Sequence, residues 1–373
     1  MNTQRIRYAV VLIGFVGLAS IELGAQANWR PKANMPTARS LVAAAVVEGK
    51  IYCIGGGPRN GPIYSAVEQY DPATDTWAQR AEIPSPTSGF DIGTVNGKVY
   101  VIGGATPTSS LPLVQEYDAS SDTWQTKAPM PTPRALFSCA VVDGKIYAIG
   151  GSTGNHTASL AVEAYDPAAD AWIQKKNVPS PRGGASCSTV NGLIYIVGGS
   201  SDSSSPLSSV YAYNPVTDTW TLKASMRSAR QFLSTCVLNG KIFAVGGCSS
   251  PYDGSELSSV EAYDPDTDTW RTMPPMQVKR KALATAVVSD RIYAIGGVSI
   301  SGWEPGLRTV EEYDPTPTVS LALSGNALKV YWNGILESAD TVDAASWQSL
   351  NPLTWPYTTS RIHPMKFYRA HRP

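Results

Sequence analysis

The chain is short of the residues that most metal sites and much acid–base chemistry need. Its 373 residues include only three histidines. No His–Cys spacing of a zinc site occurs among them. Charge is sparse and balanced: charged side chains make up 16% of the residues, 30 basic against 30 acidic. No field of one sign is there to gather nucleic acid or an anionic lipid surface. The five cysteines, Cys53, Cys139, Cys187, Cys236 and Cys248, are an odd number, so at least one has no partner within the chain. The longest apolar run, YAVVLIGFVGLA from Tyr8 to Ala19, has twelve residues. A spanning helix needs about 20.

That run has another reading. Arg5 and Arg7 precede it, and Ala25-Gln26-Ala27 follows with the small-x-small form of a signal-peptidase site. Residues 1–27 are therefore expected to be a secretory signal peptide, with the mature chain beginning at Asn28. Removing them takes away Arg5, Arg7 and Glu22 and leaves 28 basic against 29 acidic residues. The expected location is secreted, periplasmic or on the cell envelope, with no membrane span after cleavage.

What the chain has in quantity is turn-forming and strand-forming residues: 32 Gly, 28 Pro, 18 Tyr and 10 Trp, with Val-Val and Ile-Tyr pairs throughout. This is an all-β composition of many short strands and tight turns. Gly-Gly doublets end the apolar stretches IYCIGG at Gly56, VYVIGG at Gly104, IYAIGG at Gly151, IYIVGG at Gly199, IFAVGG at Gly247 and IYAIGG at Gly297, every 47 to 50 residues. After each doublet comes a variable stretch, then a segment such as VEQYDPATDTW, with a Tyr seven positions before a Trp (Tyr70 to Trp77 through Tyr263 to Trp270). Five copies are complete. The sixth stops at VEEYDP with Tyr313, and Ser320 stands where its Trp belongs.

A Gly-Gly doublet after an apolar strand, with Tyr and Trp at fixed offsets, resembles the kelch repeat over residues 29 to about 315. The resemblance implies a propeller of six four-stranded blades. Each part has its own physical reason. The apolar stretch ahead of each doublet, LVAAAVV at 41–47 for one, is expected to be an inner strand buried on both faces. Asn96-Gly97, Asp143-Gly144, Asn191-Gly192 and Asn239-Gly240 suit the type I′ hairpin, which needs positive φ at both central residues. Gly-Gly lets backbone pass close to the neighbouring blade. The Tyr and Trp supply flat apolar surface between blades. The Asp residues of stretches such as DTDTW are similar to sialidase Asp boxes but lack the Gly before Thr-Trp, and are read as turn formers.

The stretch NWRPKANMPTAR at 28–39 completes the pattern. In five repeats the Trp is followed ten residues later by Thr87, Arg134, Arg182, Arg230 or Arg280, and Trp29 is followed ten later by Arg39. The N-terminus is thus a fourth strand without its first three, and the sixth repeat has three strands without its fourth. The two fragments are expected to close the ring and remove its open edges. The fold expected is all-β: a six-bladed kelch β-propeller over 28–316 closed by an N-terminal outer strand, plus a small β module over 317–373. That module resembles, through Trp332, LESAD, Trp347 and Phe367-Tyr368-Arg369, the C-terminal attachment or sorting appendages of exported proteins; a plain stabilising appendage is the other reading.

Function is less sharply written. Copper radical oxidases of the exported kelch type need two His, two Tyr and a Cys bonded to one Tyr. Here His156 falls in a variable loop and His363 and His371 in the tail, so no metal or other cofactor is expected. Sialic acid mutarotases are a further exported kelch family, and no residue singles them out here. Cys139 and Cys187, at one register in adjacent blades, can bridge if their Cα atoms lie within about 7 Å, or can be small buried hydrophobes. The arginine register, Arg39, Arg134, Arg182, Arg230 and Arg280 with Thr87 as the gap, is expected at the loop face. Near it fall the variable-loop residues Arg59, Tyr252 and Trp303. In related propellers that bind acidic peptides, arginines at this position contact the ligand. A ring of them would focus positive potential at the mouth, and an anionic group is expected to dock on Arg134, Arg182 and Arg230. The alternative is that each Arg caps its own blade through carbonyls or a Glu such as Glu68, Glu163, Glu261 or Glu311. Asp91, where other blades have small residues, is expected near the channel.

The reading favoured is a secreted binding module for an extracellular protein or glycan. A sugar-active enzyme of the mutarotase type and a structural envelope component are the alternatives.

Overall fold

The computed structural model describes residues 29–57, 62–153, 157–202, 205–250, 254–299 and 306–315, and the backbone of six strands between 318 and 371. The expected signal peptide lies outside the described residues. Residues Trp29–Tyr313 form one compact unit. It is a propeller of six four-stranded antiparallel sheets. Blade one is typical, with strands Ala43–Val47, Lys50–Ile54, Val67–Asp71 and Thr76–Arg80 from the axis outward. Blades two to five repeat it from innermost strands Asp91–Val95, Ser138–Val142, Ser186–Val190 and Ser234–Leu238. Blade six takes Ala284–Val288, Arg291–Ile295 and Val310–Tyr313 from the end of the repeat array, and its outer strand, Trp29–Lys32, from the start.

Ring closure follows the expected register. Trp29 lies opposite Tyr313 and Lys32 opposite Val310. The Trp29 and Tyr313 rings meet at 5.3 Å, close to the 4.9 Å of Tyr70 and Trp77 within blade one. Trp29 is buried, and its indole N–H donates to the Pro274 carbonyl. The corresponding indoles donate to the same position one blade back, as Trp77 does to Ala33 and Trp124 to Ala81.

The DTDTW aspartates make turns and more. Asp75, Asp122, Asp170, Asp218 and Asp268 all have positive φ, between 48° and 56°. Each Oδ1 accepts from its blade's Tyr hydroxyl and from a backbone N–H of the preceding blade: Tyr117 and Ala81 both donate to Asp122, at 2.6 and 2.9 Å. The bond from Tyr117 holds the Asp122 carboxyl below the ordinary carboxylate value. Blade six has no such Asp, and the residue it would serve in blade five is Pro274, which has no N–H to donate. Where the acceptor is missing, so is the donor.

The hairpins carry positive φ at both central residues, 51° and 75° at Asn96 and Gly97, as a type I′ turn requires. One expectation is corrected. The innermost strand is not buried on both faces: its residues alternate between buried and half-buried along Ala43–Val47, because it borders the channel. The second and third strands, Lys50–Ile54 and Val67–Asp71, are the ones buried at four successive positions. The doublets work by close approach: a Cβ on Gly150 would sit 2.6 Å from the Arg182 carbonyl of the next blade.

The C-terminal unit contains two three-stranded antiparallel sheets. One joins Thr318–Ser324, Ala327–Asn333 and Tyr357–Thr359; the other joins Gln348–Ser349, Ile335–Ala339 and Phe367–His371. Phe367-Tyr368-Arg369 falls in the last of these strands, with Arg369 opposite Glu337.

Candidate functional site at the mouth of the channel

The structure places the five arginines inside the protein. Arg39, Arg134, Arg230 and Arg280 are 0% exposed and Arg182 is 1% exposed. In blade three, Arg134 Nη1 donates to the carbonyls of Gly150 and Ala161, and Nη2 meets Glu163 Oε2 at 2.7 Å. Arg39 with Glu68, Arg230 with Glu261 and Arg280 with Glu311 repeat the pair. The main chain of the same residue faces the other way. The Arg134 carbonyl accepts from Gly104 N of blade two, and the Arg182 carbonyl from Gly151 N of blade three. Each arginine thus ties its own doublet by side chain and the preceding doublet by backbone. Charges buried this way stay ionised through the carbonyls they bond and, in four of the five, a glutamate, although Nε of Arg39, Arg134, Arg182 and Arg230 has no hydrogen-bond partner among the described residues. Burial still pulls the Arg134 guanidinium below its ordinary value, with Glu163 opposing. An anion docking on Arg134, Arg182 and Arg230 meets no exposed guanidinium there.

Two blades depart from the pair. Blade two has Thr87 for Arg and Gln115 for Glu. Thr87 keeps one bond, Oγ1 to the Gly103 carbonyl, and Gln115 instead holds both the N–H and the carbonyl of Ser85. Blade four keeps Arg182 but has Tyr211 where the carboxylate belongs. Arg182 retains the carbonyl bonds, to Gly198 and Ser209, adds the hydroxyls of Ser180 and Ser209, and stacks at 4.9 Å on the Tyr211 ring.

The open feature of this face lies on the axis. A cavity of about 210 Å³ is lined by four consecutive residues from each blade, 41–44 in blade one through 282–285 in blade six. Its rim is held by a left-handed residue in every blade, four of them not glycine: Leu41, Leu136, Phe232 and Ala282, with φ of 52° to 55°. Each such residue costs about 1–2 kcal/mol. The cost is met by a hydrogen-bonded collar: Leu136 N donates to the Gly89 carbonyl, Gly184 N to Leu136, Phe232 N to Gly184, Ala282 N to Phe232 and Leu41 N to Ala282. The mouth is pre-shaped and stiff.

Below the collar the lining is lopsided. At the first position of the innermost strand, blades two to five carry Asp91, Ser138, Ser186 and Ser234, while blades one and six carry Ala43 and Ala284. The polar side chains tie one blade to the next. Cys139 N donates to Asp91 Oδ2 at 2.7 Å, Cys187 N to Ser138 Oγ at 2.8 Å and Thr235 N to Ser186 Oγ at 2.9 Å. Asp91 also accepts from Ile92 N on Oδ1 and from Ser138 Oγ on Oδ2. Desolvation raises its carboxyl to about 6 against these three stabilising bonds. The five cysteines are all unpaired. Cys139 and Cys187 line the cavity as thiols, their ionisation pushed up by burial.

Of the residues singled out in the sequence, Asp91 lies in the cavity wall. The arginines stand behind the wall, and Arg59, Tyr252 and Trp303 lie outside the described residues. The serine arc was missed, although its signal was present: a hydroxyl recurs at one register in three consecutive repeats. Among the described residues no three His, Cys, Asp or Glu side chains gather as metal ligands would.

The profile described as the KLHDC2/KLHL20/DRC7 Kelch-repeats domain matches residues 42–228 and 171–297. The chain belongs to the kelch-repeat family. Its kelch propeller is also similar to a solved structure titled "Structure of YjhT", with a TM-score of 0.66 and 15% identity over 80% of this chain and 98% of that one. Since 883 solved chains match, such likeness identifies the fold and nothing narrower. No curated protein matches.

Proposed function

We propose that this kelch propeller is an exported binding module that recognises an extracellular protein or glycan through the loop face, with the axial mouth as its anchor point. One observation carries the reading: the repeated polar side chains of the frame are spent on holding blades together, and the cavity bounded by all six blades opens among them as a rigid socket. Preformed concave sites with a few placed polar groups are where ligands bind. Variable stretches follow each doublet, and loops on a stiff scaffold are where recognition residues concentrate. The N-terminal run and cleavage motif support export.

The test is a glycan and peptide array probed with protein beginning at Asn28. The expected result is a binder whose affinity falls at least tenfold when Phe232, on the collar, is replaced by Gly. An array binder unaffected by changes at the collar and cavity wall would move the site elsewhere.

A sugar-active enzyme has one observation in its favour, a carboxyl in the cavity raised to about 6, in the range suited to general acid–base work. Such chemistry on a sugar calls for a second group, and among the described residues Asp91 is the only carboxylate in the cavity lining. The binding reading is therefore preferred. Anomer exchange of free sugars followed by proton NMR, unchanged by added protein, is the outcome it expects.

A further inference from the structure

We propose that the mouth of the channel takes a primary ammonium group of the ligand, with the Asp91 carboxylate as its counter-ion. The inference rests on the mouth being the anchor point, and reverses the charge expected from the arginines.

Three observations lead to it. The first is charge that structure does not require. Ser138 and Ser186, at the same register as Asp91, accept the next blade's N–H at 2.8 and 2.9 Å without any charge. Asp91 makes the equivalent bond to Cys139 N at 2.7 Å. A hydroxyl suffices for the tie between blades, so the carboxylate is surplus to it.

The second is the lack of a cation. Among the described residues, those that line the cavity include no Lys or Arg. Of the nearby charges, Arg134 is matched by Glu163 at 2.7 Å and Glu256 by Lys281 at 3.1 Å, while Arg182, which has no carboxylate, is 1% exposed and engaged with carbonyls, serine hydroxyls and the Tyr211 ring. Among the described residues, no cation pairs with Asp91. A carboxylate in a confined, partly dry site without a counter-ion is unfavourable until one arrives.

The third is size and open valence. A carboxylate has about four lone-pair positions. Asp91 uses three, on Ile92 N, Cys139 N and Ser138 Oγ, which leaves one on Oδ1. The cavity, about 210 Å³, is smaller than the roughly 300–1,000 Å³ of sites that enclose a whole drug-sized ligand. It fits the end of a chain rather than an entire saccharide. An ammonium on a short alkyl stem satisfies both, its N–H groups reaching Oδ1 and the serine arc while its methylenes lie against Ala43, Ala44 and Ala284 on the apolar part of the wall.

The other titratable groups of the wall are Cys139 and Cys187, both held neutral as thiols by burial. Among the described residues of the wall, only Asp91 changes charge below neutrality. With its carboxyl at about 6, about a tenth stays ionised at pH 5, so ammonium binding weakens roughly tenfold between pH 7.5 and 5.

The experiment is titration calorimetry of the protein beginning at Asn28 with n-butylammonium, and with butyrate and tetramethylammonium as comparators, at pH 7.5 and 5. The expected result is that only n-butylammonium binds, about tenfold weaker at pH 5. Asp91→Ser, which keeps the tie to Cys139 N, should abolish binding while leaving the unfolding temperature near the parent's; Asp91→Asn is the second variant should that one misfold. Preference for butyrate, equal binding of tetramethylammonium, or undiminished n-butylammonium binding by the Asp91 variants overturns the inference. A ligand found on the array that depends on the collar but carries no amine would sink it and leave the binding-module reading standing.

Discussion

Blade two and blade four break the same rule in different ways. Blade two lost arginine and glutamate together, and its replacements, Thr87 and Gln115, satisfy backbone groups without any charge. Blade four lost only the carboxylate and left Arg182 as a cation 1% exposed, bonded to two carbonyls and two serine hydroxyls and faced by Tyr211. The difference separates two jobs that the other four blades merge. One is capping of the Gly-Gly carbonyl, which Thr87 performs in part and Arg182 in full. The other is neutralising the buried charge, needed only where an arginine does the capping.

The largest effect expected is in a blade that obeys the rule. Glu163→Ala in blade three strips the carboxylate from Arg134 and leaves Thr132 Oγ1 without its acceptor, yet supplies no tyrosine. Removing one partner of a buried pair costs about 3–5 kcal/mol. Denaturant unfolding should show a loss of that order, well above the loss for Tyr211→Ala in blade four. Comparable losses for the two would mean that Tyr211 compensates Arg182 as fully as a carboxylate does.

Much of this architecture was legible in the sequence, and the reason is physical. A doublet that admits no Cβ, a Tyr–Trp pair and a positive-φ turn each restrict residue identity wherever they occur, so the six copies print similar letters, with departures such as Ser289-Asp290 in the turn of blade six. Ring closure by Trp29 was legible because its partner, Tyr313, stood without a Trp. The site was not. An arginine at fixed register looks alike whether it points at a ligand or at Glu163, because burial belongs to the fold and not to the residue. The channel arc escaped notice because serine and aspartate there make the same bond, to Cys187 N and Cys139 N, although only aspartate adds a charge.

The intermediate effect comes from restoring blade two. Thr87→Arg alone places a guanidinium opposite Gln115, which cannot neutralise it, and should destabilise. Adding Gln115→Glu should recover stability, with a favourable coupling of about 0.5–3 kcal/mol in a double-mutant cycle, the range for contacting residues. Additive effects would show that blade two differs in backbone path and not only in its pair.

The smallest effect, and the one that tests the comparison most directly, is Tyr211→Glu in blade four. The change removes a cation–π contact worth about 0.5–2 kcal/mol and adds a charged hydrogen bond worth about 1.5–3 kcal/mol, so the expected gain at pH 7 is on the order of 1 kcal/mol. Burial draws the Arg182 guanidinium below its ordinary value, and a carboxylate beside it would oppose that. The sign with pH follows from the pairing: the introduced carboxylate has its folded-state value depressed by Arg182, so its contribution is complete above the ordinary glutamate value of about 4.3 and is lost as pH falls below it. Thermal unfolding of parent and variant should differ at pH 7 and converge at pH 3. A variant less stable than the parent at pH 7 would show that blade four is built around the tyrosine, and that Arg182 lacks nothing.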